Sequence, residues 1–195
     1  MLKDLLNSHR IILASRSPRR QQLLHDMGLK FDVVIREYEE SYPANLKGEE
    51  IALYLASLKS ESFKKEISSN EIVITADTIV WCNNEVLGKP SDFHDARRMI
   101  RALSGNTHEV ITGVALLSSS KERVFADTTK VTFERLSEEE IDYYIDNFKP
   151  YDKAGAYGIQ EWIGVAACSR IEGSDFNVVG LPVQKLYQEL KEFIM

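Results

Sequence analysis

Short apolar runs alternate along this chain with stretches whose apolar residues recur at helical spacing. The first run, Ile11-Ile12-Leu13, leads through Ala14-Ser15-Arg16-Ser17-Pro18-Arg19-Arg20 into Gln21-Gln22-Leu23-Leu24, so the reading is strand, tight loop and helix. Ser17 fits the N-cap and Pro18 the first helical position, while Met27-Gly28 closes the helix. Residues 31–35 read as a second strand. Between about residues 49 and 65, Ile51, Leu55, Leu58 and Ser62 share helical spacing, with Lys59 near the edge of that stripe. The β-branched run 71–76 predicts a buried central strand ending at Asp77, and 79–82 with 85–87 predicts a hairpin around Asn83-Asn84. A helix follows to about Leu103, capped by Ser91 or Asp92 and stopped by Ser104-Gly105-Asn106. Residues 110–117 and 123–133 read as strands, and Ser137-Glu138-Glu139-Glu140 as a capping box opening a helix to about Phe148. Residues 165–171 read as a late strand. Pro182 starts a last helix with Val183, Leu186, Tyr187 and Leu190 on its apolar face. Strands and helices alternate, but hairpins interrupt them, so an α/β fold with a mixed sheet is expected. No repeat, low-complexity segment or flexible linker is visible.

A chain of 195 residues suffices for one sizeable domain, or for two small lobes sharing a cleft. Its net charge of −6 disfavours a nucleic-acid polymer as partner, because duplex binders carry a basic excess. Cys82 and Cys168 form neither a disulfide framework nor a zinc motif. The start, Met1 to Asn7, lacks a secretory apolar core, and no run approaches the roughly 20 apolar residues that span a bilayer. The expectation is a cytoplasmic protein without a membrane partner.

Against that acidic background the 14–20 stretch stands out. Its two hydroxyls and three guanidiniums at a helix N-terminus suit a polyanion such as a phosphate chain; the alternative is an ordinary capped helix whose arginines face water. Asp77, at the end of a buried strand, must be paired, bound to a cation, functional, or capping the next turn, and Thr78 beside it could orient a ligand. Glu39-Glu40 offers a further carboxylate for Mg²⁺ or Mn²⁺, or is simply an acidic loop. Lys59, Lys89 on the Gly88-Lys89-Pro90 loop, and Lys153 near Gly155 could meet phosphate as point charges. His108 reads as a loop hydrogen-bonding residue, Arg97, Arg98 and Arg101 as a solvated face, and Trp81 and Trp162 as packing residues or base-stacking platforms. There is no G-x-x-x-x-G-K-[ST], G-x-G-x-x-G or G-x-S-x-G motif, and no HExxH spacing. Cations for phosphates beside carboxylates for a divalent ion make a kit for cleaving a phosphoanhydride.

Ser15-x-Ser17-Pro18-Arg19-Arg20, Ala76-Asp77-Thr78, Gly88-Lys89-Pro90, Leu103-Ser104-Gly105-x-x-His108, Thr112-Gly113, the run from Asp152 to Gln160, and Val179-Gly180-Leu181-Pro182 occur in this order. Together they closely resemble the Maf family of nucleotide pyrophosphatases over about residues 10–190. The resemblance implies a single domain over residues 1–195, with an elongated fold like that of the inosine triphosphate pyrophosphatases and a cleft between two lobes. It implies metal-dependent hydrolysis of a nucleoside triphosphate to the monophosphate and pyrophosphate, and a homodimer. It places the general base on Asp77, a metal-side carboxylate on Glu40, phosphate-binding groups on Arg19, Arg20, Lys59 and Lys89, and specificity on Arg20, Thr78 and Gln160. Ser15, Ser17 and Lys153 complete the candidate substrate-binding set.

Ser-Pro-Arg-Arg, Ala-Asp-Thr and Gly-Ala-Tyr-Gly-Ile-Gln resemble the branch acting on dTTP and UTP. The branch preferring 7-methyl-GTP has Tyr, Gln and Glu at the positions of Arg19, Thr78 and Gln160. The Gln160 amide, with donor and acceptor together, can pair with the O4/N3 edge shared by uracil and thymine. The alternatives are a 7-methyl-GTP pyrophosphatase and, from the family's tie to septum formation, a nucleotide-binding regulator of cell division.

Overall fold

The computed structural model describes residues 2–195, apart from the side chain of Lys3. It has an α/β architecture with a mixed sheet. In chain order the elements are α1 (Leu2–Leu5), β1 (Arg10–Leu13), α2 (Pro18–Asp26), β2 (Asp32–Val33), α3 (Glu49–Glu61), β3 (Glu71–Cys82), β4 (Glu85–Leu87), α4 (Phe93–Leu103), β5 (Thr107–Leu117) and β6 (Glu122–Phe133). There follow α5 (Glu138–Phe148), a 3₁₀ turn (Ala154–Ala156), α6 (Trp162–Ala167), β7 (Cys168–Glu172), α7 (Asp175–Val179) and α8 (Val183–Ile194). The sheet order is β2-β1-β3-β5-β6-β7, with β4 paired to β3. β1 runs parallel to β2 and β3, while β4 and β7 are antiparallel to β3 and β6.

The chain divides into two compact units. The first holds residues 1–77, 112–127 and 180–195, and the second holds 78–111 and 128–179. In the first, Ile12, Val73, Leu117 and Phe63 form a core cluster beneath α3. Helix α3 lies unusually close to the strands. An ideal Cβ on Gly113 would sit 2.1 Å from the Ala52 carbonyl oxygen, so only glycine permits the approach. The Thr75 hydroxyl donates to Ala56 O at 2.6 Å on the same face. In the second unit, α4, α5, the 3₁₀ turn and α6 bury Ile100, Leu103, Val131, Phe133, Ile141, Tyr144 and Ile163 in one apolar core.

Several expectations are corrected. The second strand shrinks to Asp32–Val33. The 165–171 strand is replaced by helix α6 and then β7, because Ile163 and Ala167, one turn apart, face the core while Val165 is 85 % exposed. Strand β3 does not end at Asp77 but continues to Cys82, where β4 pairs with it. The buried stripe of α3 is Ile51, Ala52, Leu55, Ala56 and Ser60, so Lys59 stands within it and not at its edge. Arg98 and Arg101 do lie on a solvated face, as expected; Arg97 is half-buried, and the face carries ion pairs from Arg97 and Arg101 to Glu138 and from Arg97 to Asp142.

Candidate active site

The Ser15–Arg20 turn is built as its sequence dictates. Ser17 caps α2 by accepting Arg20 N–H at 3.4 Å, and Pro18 takes the first helical position, where a missing N–H costs nothing. The buried Ser15 hydroxyl accepts Ser17 N–H at 3.2 Å and Arg20 Nη1 at 3.5 Å. Arg20 is then fixed from its other side, with Nε donating to Gly180 O at 2.8 Å and Nη1 to Ala76 O at 2.9 Å. Arg16 faces solvent, while Arg19 is half-buried and its charge bears on Arg20.

The Ala76 carbonyl has a clear origin. β1 pairs with β3 only as far as Leu13 opposite Ile74, where Ala14 N–H donates to Ile74 O at 2.9 Å. The next carbonyl on that edge of β3 is Ala76 O, beyond the reach of β1. Two cations replace the missing strand, Arg20 Nη1 and Lys59 Nζ, the latter at 3.1 Å. Asp77 follows immediately. It lies on the face of β3 that also carries Val73 and Thr75, toward α3, since side chains alternate along a strand. The α3 turn that receives Thr75 at Ala56 therefore brings Lys59 onto Asp77, and the ammonium donates to the carboxylate. Their side chains are 12 % and 9 % exposed, so the pair is largely withdrawn from water and each group is the other's charge partner.

Electrostatics ties more of this unit together. Burial pushes the Lys59 ammonium and the Arg20 guanidinium below their ordinary pKa values, and the charge of Asp77 opposes that shift in both. Glu40 is exposed, yet its charge acts on Arg20, Lys59 and Tyr38, so it belongs to the same field. Tyr38, which no sequence signal marked, places its ring 5.2 Å from Lys59 Nζ; burial first, then Glu40 and Asp77, push its phenol upward. Ser15, Ser17, Arg20, Lys59, Asp77 and Glu40 are thereby brought together.

The remaining candidates belong to the second unit. Thr78 is half-buried in β3, and Lys89 and Gln160 are exposed. The loop of Lys89 and the loop of Lys153 are joined where Gly155 N–H donates to Gly88 O at 3.0 Å. Gly155 has φ +68°, and a Cβ there would meet Val80 at 2.9 Å, so glycine is required twice over. Lys153 is buried, and its ammonium is held by Asp152 at 2.7 Å and Glu161 at 3.0 Å. As a phosphate contact it would first have to leave two carboxylates. His108 is no loop ligand; it is 2 % exposed, and its Nε2 meets the Tyr157 hydroxyl at 2.8 Å in an aromatic cluster with Phe133.

Among the described residues, no group of three or more His, Cys, Asp or Glu side chains stands ready to hold a metal ion. Asp77 and Glu40 are hard oxygen donors, and two carboxylates fit an ion that fills its shell with substrate oxygens and water. No helix among those residues is long and apolar enough to cross a membrane.

A dTTP/UTP pyrophosphatase of Flavobacterium johnsoniae is 51 % identical to this chain over 194 residues, covering all of both. One from Phocaeicola vulgatus is 54 % identical over 188 residues, covering 96 % of this chain and 97 % of its own. Among solved structures, a dITP/XTP pyrophosphatase of Mycobacterium abscessus aligns over 66 % of this chain and 76 % of its own, at 19 % identity and TM-score 0.43. The family model described as Maf-like protein matches residues 10–193, almost all of the chain and every residue of the site built above. The chain belongs to the Maf-like protein family.

Proposed function

We propose that this protein is a hydrolase that converts dTTP and UTP to the monophosphate and pyrophosphate, working as one catalytic domain. The observation that carries the reading is Asp77, a carboxylate inside a buried strand, met by Lys59 and within the field of Arg20. A structural ion pair alone would not need a second cation on the adjoining carbonyl, nor Glu40 in the same field. The full-length relatives named dTTP/UTP pyrophosphatases support the choice of substrate.

In this mechanism Arg19, Arg20, Lys59 and Lys89, with the Ser15 and Ser17 hydroxyls, bind and orient the triphosphate. Arg20 and Lys59 are anchored on backbone carbonyls, so their charge is positioned before substrate arrives. Asp77 orients a water for attack on the α-phosphorus and accepts its proton. The new P–O bond forms as the bond from the α-phosphorus to the bridging oxygen breaks, and pyrophosphate leaves with that bond's electron pair. Lys59 holds the Asp77 carboxylate in place through their ion pair. Asp77 and Glu40 would hold Mg²⁺ or Mn²⁺, which supplies charge neutralisation on the phosphate oxygens when bound. Gln160 reads the O4/N3 edge of the base, and Thr78 orients the nucleotide beside Asp77. We further propose, on the family resemblance alone, that the protein works in the cytoplasm as a homodimer.

The test is product analysis with Mg²⁺ and dTTP, UTP, CTP, GTP and 7-methyl-GTP. Monophosphate plus pyrophosphate from dTTP and UTP is expected, with turnover abolished by Asp77→Asn. Release of single orthophosphate would refute attack at the α-phosphorus, and turnover confined to 7-methyl-GTP would refute the assigned substrate.

A further inference from the structure

We propose that Tyr144 and Glu161 are positioning residues for base recognition, bracing from beneath the turn that carries Gln160. The inference rests on the reading of Gln160 as the group that meets the base, and extends it to side chains that never touch the nucleotide.

The turn is defined by its own hydrogen bond. Glu161 N–H donates to Gly158 O at 2.9 Å, so Gly158 and Glu161 are the ends of a β-turn with Ile159 and Gln160 at its tip. Both ends are gripped by Tyr144 on α5. The Tyr144 hydroxyl accepts Gly158 N–H at 3.0 Å and donates to the Glu161 carboxylate. Tyr144 is fully buried and stacks on Phe148, with ring centroids 5.1 Å apart, so its hydroxyl is a fixed point and not a mobile tip.

Glu161 is committed to this task. It stands at the N-cap of α6 but makes no side-chain cap. Its carboxylate instead receives Tyr144 and the Lys153 ammonium, the latter at 3.0 Å. A buried cation, a carboxylate and a phenol thus tie residues 153, 158 and 161 to α5. Two missing side chains make the assembly close. An ideal Cβ on Gly158 would lie 2.8 Å from the Glu161 carboxyl carbon, and one on Gly164 would lie 1.8 Å from Ile159 O. The backbone on either side of Gln160 is therefore seated against α6 and Glu161, while Gln160 itself stays exposed.

A glutamine amide pairs with thymine or uracil in one orientation and with cytosine in the other, because the two edges reverse donor and acceptor. A half-turn of the amide exchanges donor and acceptor in place, so selectivity requires a turn rigid enough to hold the amide against surroundings that favour one orientation. Loosening the brace lets the amide shift to serve the wrong edge.

The test is a double-mutant cycle on the full-length protein, reading kcat/KM for dTTP over dCTP, with thermal melts to confirm folding. Tyr144→Phe is expected to lower this ratio roughly tenfold, mostly through KM, the scale of one misplaced hydrogen bond. In a Gln160→Ala background the same change is expected to move the ratio by less than about twofold, because the group it acts through is gone. Glu161→Gln keeps an acceptor for Tyr144 but loses the charge facing Lys153, so a smaller loss is expected; it carries the test should Tyr144→Phe not fold. Full effects of Tyr144→Phe in both backgrounds, or wild-type selectivity in Tyr144→Phe or Glu161→Gln, overturn the brace. Wild-type selectivity in Gln160→Ala alone would instead overturn the assignment of Gln160.

Discussion

His108 makes the stability of this protein depend on acid in a way that can be isolated. It is 2 % exposed, its Nε2 faces Tyr157, and its Nδ1 has no hydrogen-bond partner among the described residues. Protonation would place an unpaired N–H and a charge among Phe133 and Tyr157, and burial accordingly pushes the imidazole down to about 4 from the ordinary 6.5. With the folded value depressed, the unfolded chain binds more protons between pH 6.5 and 4. Stability is therefore fully present above pH 6.5 and is lost as pH falls toward 4. Integrating the two titrations from pH 7 to pH 4 gives a loss of about 3 kcal/mol from this one group, and for a chain of this size roughly 6–12 °C in melting temperature. The assay is urea unfolding across that pH range for the wild-type protein and for His108→Gln, which can keep a polar atom near Tyr157 and cannot titrate. The carboxylates titrate in both proteins, so the difference in slope belongs to His108. Parallel curves would refute the reasoning, as would an imidazole resonance of His108 titrating near 6.5 in the folded protein.

Gly113→Ala is expected to cost more than about 3 kcal/mol in chemical denaturation, since its Cβ would press on backbone at Ala52 O, where no side chain can give way. Lys59→Met leaves Asp77 buried without its ammonium; about 3 kcal/mol of stability should be lost at pH 7, and turnover should fall to near background. A stable, active Lys59→Met would show that the pair is dispensable. Arg20→Lys should fold but lose at least about tenfold in kcat/KM, because one ammonium cannot reach both Gly180 O and Ala76 O as the forked guanidinium does.

The sequence was most informative where structure is local. Ser17 and Pro18 fix the start of α2 through neighbouring backbone groups, and Ser137 with Glu140 closes its capping box as expected. What sequence could not supply was partner geometry. Asp77 was identifiable as a carboxylate in an apolar run, but its place is set by the end of β1, not by the end of its own strand. Lys59 read as peripheral because Leu58 looked like a core residue. The close seat of α3 on Gly113 instead favours the small Ala52, Ala56 and Ser60, which turns the helix so that Lys59 faces inward. Of the two carboxylates on Lys153, Asp152 is its sequence neighbour, but Glu161 arrives only after a turn has folded back and was not legible beforehand. The α6 segment misled through Val165, whose strand preference counted for little beside the burial of Ile163 and Ala167.

The carbonyl of Ala76 gives the anchoring of Arg20 and Lys59 an unusual mutational profile. Its oxygen belongs to the main chain, so no exchange of the Ala76 side chain removes it, and only a change that bends β3 can withdraw it from both cations. Error in this half of the site is thus confined to the two donors. A library that randomises position 76 should be limited by the room for a buried side chain, and its folded members should keep both cations in register. For an engineer reshaping the pocket, the acceptor is the fixed datum and the side chains around it are the adjustable parts.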